Sequence, residues 1–279
     1  MLFRSKESMR NELGVSCIRR SNKDGYHYFI SNLQGKDVDA MIPLGVDFSS
    51  VVIYNPLTGE IGKAQTDGRK VRLQLASGES LILRTYTDAS AVPTGSCDED
   101  GINGKSYTYY NASTGTIGLK GWTLTFPEAA PKSISKRFKL DEAKAWTTLG
   151  DADLNETMAT GLYSTTVKLK KQDGKRYVLA LGDVRESARV VVNGEDCGTL
   201  FSVPFKVDIT KSLKKGKNTI ELYVTNLPAN RIAQMDRDGK EWRIFKEINV
   251  VDLNYKKNKY DTWEVVASGL NTNPAIFVF

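Results

Sequence analysis

Between Tyr177 and Leu227 the chain reads YVLALGDVRESARVVVNGEDCGTLFSVPFKVDITKSLKKGKNTIELYVTNL, a stretch that suits antiparallel sheet and little else. Val178 and Ala180, then Val190 and Val192, alternate with their neighbours in the period of two that a half-buried strand requires. Asn193-Gly194 predicts a two-residue hairpin, because both central positions of the favoured turn need positive φ. Lys215-Gly216-Lys217-Asn218 punctuates the next strand, Thr219 to Thr225, in which Ile220, Leu222 and Val224 share one face. Four or five short strands joined by such turns predict a β-sandwich.

The first part of the chain alternates in the same way. The runs are Cys17-Ile18-Arg19, Tyr26 to Ser31, Asp37 to Ile42, Val51 to Tyr54, Val71 to Leu75 and Leu81 to Tyr86. Turn residues separate them, among them Lys23-Asp24-Gly25, Asn55 to Glu60, Asp67-Gly68 and Ser77-Gly78. Short strands at this spacing predict a small sandwich of about 75 residues, with Met1 to Gly14 as a helix fragment or loose lead-in. DASAVPTGSCDEDGINGK, Asp88 to Lys105, has the small, polar and turn-forming composition of a linker. A second unit opens at Gly121, where Trp122, Leu124 and Phe126 share a strand face. Helix is sparse throughout, with Asp141 to Ala145 as the best short candidate. The expected layout is a small antiparallel β-sandwich over 1–90, linker and lead-in over 91–120, and a larger sandwich over 121–279.

These motifs follow an order found in one group of proteins. LGDV, VNG, GTL, PF, VDIT and VTN between Leu181 and Asn226 resemble the galactose-binding-like β-sandwich attached to bacterial glycoside hydrolases. Such modules occur in family 2, the β-galactosidase-like enzymes, and in the family 106 α-L-rhamnosidases. Gly161 to Val167 (GLYSTTV) resembles the first strand of such a module. Asn226-Leu227-Pro228-Ala229-Asn230-Arg231-Ile232 and the closing WEVVASGL, Trp263 to Leu270, resemble segments of the rhamnosidase-like group. Upstream, Ile18-Arg19-Arg20, Tyr28 to Asn32, Ile53 to Gly59 and Glu79 to Leu83 resemble a small β domain that follows the catalytic barrel in those enzymes. The resemblance covers most of the chain, Thr87 to Tyr110 excepted. It implies an all-β protein, a small N-terminal β-sandwich followed by a galactose-binding-like jelly roll. It also implies a periplasmic or extracellular location. Met1 to Arg20 carries charge without an apolar run, so it does not read as a secretory signal.

Several function classes lack their material. Sequences of the types GxSxG, GxxxxGK[ST] and HExxH do not occur, and His27, in a strand-like run, is the single histidine. Cys17, Cys97 and Cys197 are an odd set without CxxC spacing, so no zinc site is expected and any one disulfide pairing is left open. The net charge of +6 is spread over strands and hairpin tips such as Lys168 to Lys171 and Lys214 to Lys217. That is edge-strand protection more than a phosphate track, and no nucleic-acid partner is expected. No apolar run approaches the ~18 residues of a membrane span. The (β/α)₈ barrel that carries the catalytic acids of the resembling enzymes is absent from this sequence. Asp183 and Glu186 are the tempting carboxylate pair, and Asp183 is expected to bond backbone amides of its own turn instead. Asp98-Glu99-Asp100 reads as a solvated acidic loop.

Sugar-binding modules hold rings on flat aromatic faces and bond hydroxyls with polar side chains. Residues suited to that gather in the last third: Asn226, Arg237, Asp238, Arg243, Tyr255 and Tyr260 surround a best set of Asn230, Arg231, Asp236, Trp242 and Trp263. Asn230 to Phe245 is expected as a polar loop at one end of the sandwich. The competing structural expectation has Trp263 closing the core and Arg231 in a buried ion pair, with Trp242 open between the two roles. The expected function is the non-catalytic, carbohydrate-binding or structural C-terminal portion of a rhamnosidase-type glycoside hydrolase. Its partners would be an oligosaccharide or an upstream catalytic domain. No cofactor is expected. Structural calcium is known in this fold class, but no ligand set for it stands out. Two alternatives stand beside this reading, a glycosidase with loop-borne carboxylates and a β-sandwich interaction or adhesion module.

Overall fold

The computed structural model describes residues 7–92, 105–243 and 258–279. The chain divides into two compact units, Met1–Ala112 and Ser113–Phe279. In the first, a short helix α1 (Met9–Leu13) precedes β1 (Ser16–Asn22), β2 (Gly25–Ser31), β3 (Val38–Pro43), β4 (Ser50–Tyr54), β5 (Ile61–Lys63), β6 (Thr66–Asp67), β7 (Lys70–Leu75) and β8 (Ser80–Tyr86). Each of the six alternating runs of the sequence is a strand. They form a five-stranded sheet, β1-β2-β8-β4-β5, and a three-stranded one, β3-β7-β6. The alternating residues Tyr28, Ile30, Ile53, Leu73, Leu81 and Leu83 fill the core between them. Burying each such side chain stabilises the fold by about 1.5–3 kcal/mol relative to leaving it in water. Glu7 ties the lead-in down: its nearly buried carboxylate accepts from Arg19, from the Tyr28 hydroxyl (3.1 Å) and from the Gly45 amide (2.8 Å).

The second unit begins earlier than the sequence suggested. Within the stretch 91–120, expected as linker and lead-in, β9 (Gly115–Gly118) is already a strand of its sheet, and residues 93–104 lie outside the described ones. Then follow β10 (Trp122–Ala130), β11 (Phe138–Leu140), β12 (Met158–Leu169), β13 (Tyr177–Gly182), β14 (Val184–Arg185), β15 (Ser187–Val192), β16 (Glu195–Leu200), β17 (Phe205–Asp208) and β18 (Gly216–Thr225). Helix α2 (Ala229–Arg237), β19 (Gly269–Leu270) and β20 (Ala275–Val278) close the chain. The main sheet runs β11-β10-β12-β18-β15-β16, opposed by β17-β13-β20-β9, with β14-β19 pairing at one end. This is the jelly-roll sandwich. Trp122, Leu124, Trp146, Tyr163, Leu222 and Ile276 lie in its core, and Phe126 meets Trp146 edge to face at 5.4 Å.

Local chemistry explains the joints. Asn193 and Gly194 take φ of 54° and 86°, the paired positive values of the expected hairpin between β15 and β16. Asn193 adds bonds to Ser212 O (2.7 Å), Asn218 Oδ1 (2.9 Å) and the Thr219 amide (3.0 Å), so the turn is anchored to two neighbouring segments. Two helix expectations change. Asp141 to Ala145 is not helical. The short 3-10 turns fall just after it, at Trp146–Thr148 and Ala152–Glu156, where Trp146 and Leu154 plug the core. The polar stretch after Asn230 is not all loop, because α2 occupies its first half. Among the described residues, no helix is long and apolar enough to cross a membrane.

Candidate functional site

Helix α2 leaves β18 through Asn226 and is held by a buried knot of amides. Asn226, 6% exposed, accepts from the Ala159 amide (2.9 Å) and donates to Thr157 O (3.1 Å) and Ser268 Oγ (3.0 Å). Asn230, 3% exposed, donates to Val266 O and accepts from the Val266 amide, both at 2.8 Å. Buried amides must be paired, and these are. Both asparagines therefore brace the segment 266–268 against the sandwich. The spacing that makes them look like sugar contacts serves packing instead.

Six residues on, Asp236 acts as a clamp. Its Oδ1 accepts from Trp242 Nε1 (2.6 Å) and its Oδ2 from the Tyr260 amide (2.8 Å). The clamp brings three aromatic rings together. Trp242 and Tyr260 lie 6.0 Å apart at 42°, and Tyr260 and Trp263 lie 4.5 Å apart at 51°. The Arg243 guanidinium sits 4.9 Å from the Trp242 ring and 5.4 Å from the Tyr260 ring, and donates to Asn258 O at 2.5 Å. A guanidinium over aromatic faces is attracted by their quadrupoles and holds them in place. Trp263 is 46% exposed, so it does not close the core as the competing expectation had it; Trp122 and Trp146 already fill that space. Arg231 is half-buried, and among the described residues it makes no ion pair of the kind expected. Nearby Asp238 is held below the usual carboxylate range by Lys240 first, with Gln234 and Arg231 adding to the effect. Of the best sequence candidates, the fold thus joins Asp236, Trp242 and Trp263 into one surface and sets Asn230 behind it. Tyr260 stands at its centre, and Tyr255 lies outside the described residues.

Catalytic alternatives fare worse. Asp183 bonds side chains and not the amides of its own turn: Arg185 at 2.9 Å and Asn271 at 3.0 Å. The cis-linked neighbour of Glu186 thus already occupies it. Burial works to raise the Asp183 carboxyl, but Asn271 and Arg185 outweigh that and hold it low. A cavity of about 180 Å³ is lined by Asp151, Asp153 and Glu156 together with Lys132 and Lys136. There Lys136 lies 2.5 Å from Asp151 and Lys132 lies 3.2 Å from Asp153, and Lys136 lowers the Asp151 carboxyl against the opposing effect of burial. A glycosidase acid needs its proton affinity raised, and Asp151 and Asp183 shift the other way. His27 is an outward strand residue bonded to Asn22 at 2.8 Å, its proton affinity lowered by burial and by Arg84. Cys17 and Cys197 are free thiols, whereas Cys97 and the acidic run Asp98 to Asp100 lie outside the described residues. Among the described residues no His, Cys, Asp and Glu side chains cluster as a metal site.

Comparison with known proteins agrees with this architecture. A putative beta-glucuronidase of Formosa agariphila is 33% identical over 204 residues, which is 71% of this chain and 17% of that protein. The rhamnosidase of Novosphingobium sp. PP1Y shares the fold over 95% of this chain and 24% of its own, with a TM-score of 0.66 at 20% identity. The chain therefore spans less than a quarter of the length of either relative. Residues 151–270 match the family described as the glycosyl hydrolase 2 galactose-binding domain-like domain. The matched residues lie within the jelly-roll unit.

Proposed function

We propose that this chain is a non-catalytic accessory portion of a rhamnosidase-type glycoside hydrolase and that its jelly-roll unit holds glycan on the Trp242–Tyr260–Trp263 surface. The observation that carries this reading is the exposed Trp263 ring packed 4.5 Å from Tyr260. Exposed aromatic area of this kind is what a sugar ring covers. Asp236 and Arg243 supply charged groups beside it. The paired and depressed carboxylates at Asp183 and Asp151 support the absence of bond cleavage by this chain, and the partner would be an oligosaccharide or a catalytic domain. By the same resemblance the site of action is the periplasm or the cell exterior.

The test is isothermal titration of the chain with L-rhamnose- and galactose-containing oligosaccharides. Saturable binding that Trp263→Ala abolishes and Trp242→Ala weakens is the expected result. Absence of heat with every sugar in that panel overturns the binding role and leaves a purely supporting one.

A further inference from the structure

The outer face of the five-stranded sheet in the first unit is banded. Strand register lines up Ile18, Phe29 and Ile82 across β1, β2 and β8, and the row continues through Tyr54 to Ile61 on β4 and β5. At the far end Tyr54 and Ile61 pack on the buried cluster Val52, Tyr86 and Val92. At the near end the row is open, with Ile18 62% and Phe29 45% exposed. One step along the strands, on the same face, register sets Arg20, His27 and Arg84 side by side. One step the other way it sets Ser16, Ser31 and Ser80 side by side. Residues two apart on a strand are about 7 Å apart and neighbouring strands about 4.8 Å, so three parallel bands lie within about 14 Å by 10 Å.

Each band has a chemical meaning. Arg20 is exposed and makes no hydrogen bond or ion pair among the described residues. Arg84 lies 4.7 Å from the Tyr86 ring and 4.0 Å from Asp24, the one acid paired with this row among the described residues. The face is therefore cationic on one side. Among the described residues the three serine hydroxyls make no hydrogen bond, so both their donor and acceptor capacities are open. The apolar band between them is one side chain wide. A stable protein interface needs about 800 Å² per partner around a broad apolar centre, and a single row between two polar rows does not supply it. A narrow, extended ligand fits, with an apolar face, hydroxyls along one edge and negative charge along the other.

We propose that this face binds an anionic oligosaccharide, a chain of uronic acid sugars. Its C–H faces lie on Phe29, Ile18 and Ile82, its carboxylates meet Arg20 and Arg84, and its hydroxyls meet the serine row. The strand spacing is close to the length of one pyranose residue, so successive sugars meet successive strands. The residues belong to a different unit from Trp263, and the proposal does not depend on the surface there.

The test is calorimetric titration of the full chain with tetragalacturonate and with its neutral methyl ester. The acid form is expected to bind, with the methyl ester, Phe29→Ala and Arg20→Glu each weakening affinity about tenfold or more. Trp263→Ala is expected to leave this binding unchanged. Phe29 and Arg20 are exposed, so neither substitution disturbs the core, and near-UV circular dichroism verifies the fold. Absence of binding, binding insensitive to Phe29→Ala, or loss with Trp263→Ala would each overturn the proposal. Equal affinity for a hexaglutamate peptide would overturn it too, showing general attraction of anions to the cationic row.

Discussion

Asn226 and Gly269 show how single positions hold the jelly roll. Asn226→Ala leaves the Ala159 amide and Thr157 carbonyl unpaired in a dry environment. Each orphaned buried group costs about 1–3 kcal/mol, so a loss of about 3 kcal/mol in unfolding free energy is expected in urea titrations. Gly269 has φ of 102°, and an added Cβ would lie 2.3 Å from Tyr163 Oη and 2.8 Å from a Trp146 ring carbon. Gly269→Ala is therefore expected to cost at least about 3 kcal/mol, read as a lower melting midpoint, since backbone strain and overpacking act together. Asp208 ties charge to fold. Burial would raise its carboxyl, but Thr210 and Arg176 (2.6 Å) outweigh that and lower it. A depressed carboxyl contributes stability above its unfolded pKa near 3.9, lost as pH falls through the folded value. Asp208→Asn is expected to flatten the pH dependence of the melting midpoint below about pH 4, with a correspondingly lower midpoint at pH 7. None of these roles was readable beforehand. Asn226 is sixty-nine positions from Thr157, and a polar residue beside aromatics looks the same on paper whether water or core surrounds it.

Strands were legible where alternation and turn chemistry agreed, and helix was not. The six runs of the first unit and the Asn193-Gly194 hairpin followed from period two and positive φ. Helix α2 was missed because its buried stripe is only Asn230 and Ala233, too short and too polar to show a period of 3.6. Its contribution is to place Asp236, and through it the aromatic surface. Asp236→Ala removes the acceptor for Trp242 Nε1 and for the Tyr260 amide. The expected outcome is loss of near-UV circular dichroism from the freed rings, with unfolding free energy lowered by only about 1–2 kcal/mol because the clamp lies outside the core. A fall in stability as large as that for Asn226→Ala, or an unchanged near-UV spectrum, would show that Asp236 does not position these rings. The aromatic residues themselves were visible in the sequence. Their mutual distance was not, since Trp242 and Trp263 meet only through Tyr260 and a helix that propensity did not announce.

At the scale of the whole molecule the question is where the second unit starts. Composition marks the turn-rich stretch around residues 88–105 and then the apolar strand at Trp122, which suggests Gly121 as the first residue. Pairing says otherwise. β9 lies against β20 with Ile117 opposite Ile276 and Gly115 opposite Val278, and the Thr114 amide donates to Val278 O at 2.7 Å. Leu119 is 1% exposed in the jelly-roll core, its carbonyl accepts from Asn273 at 2.8 Å, and the Lys120 carbonyl accepts from Thr165 at 2.5 Å. β9 carries two glycines and one half-buried isoleucine, too little alternation to be seen as a strand. We therefore expect the polypeptide 113–279 to unfold as one cooperative unit, and 121–279 to be weaker. Removing Leu119 alone forfeits about 2 kcal/mol of burial, and β20 becomes an unpaired edge. A melting midpoint lower by about 5–10 °C follows for a unit of this size. Thermal unfolding of the two polypeptides side by side decides it: equal midpoints would mean that β9 is an ornament on the sandwich and that the unit begins at Gly121 after all.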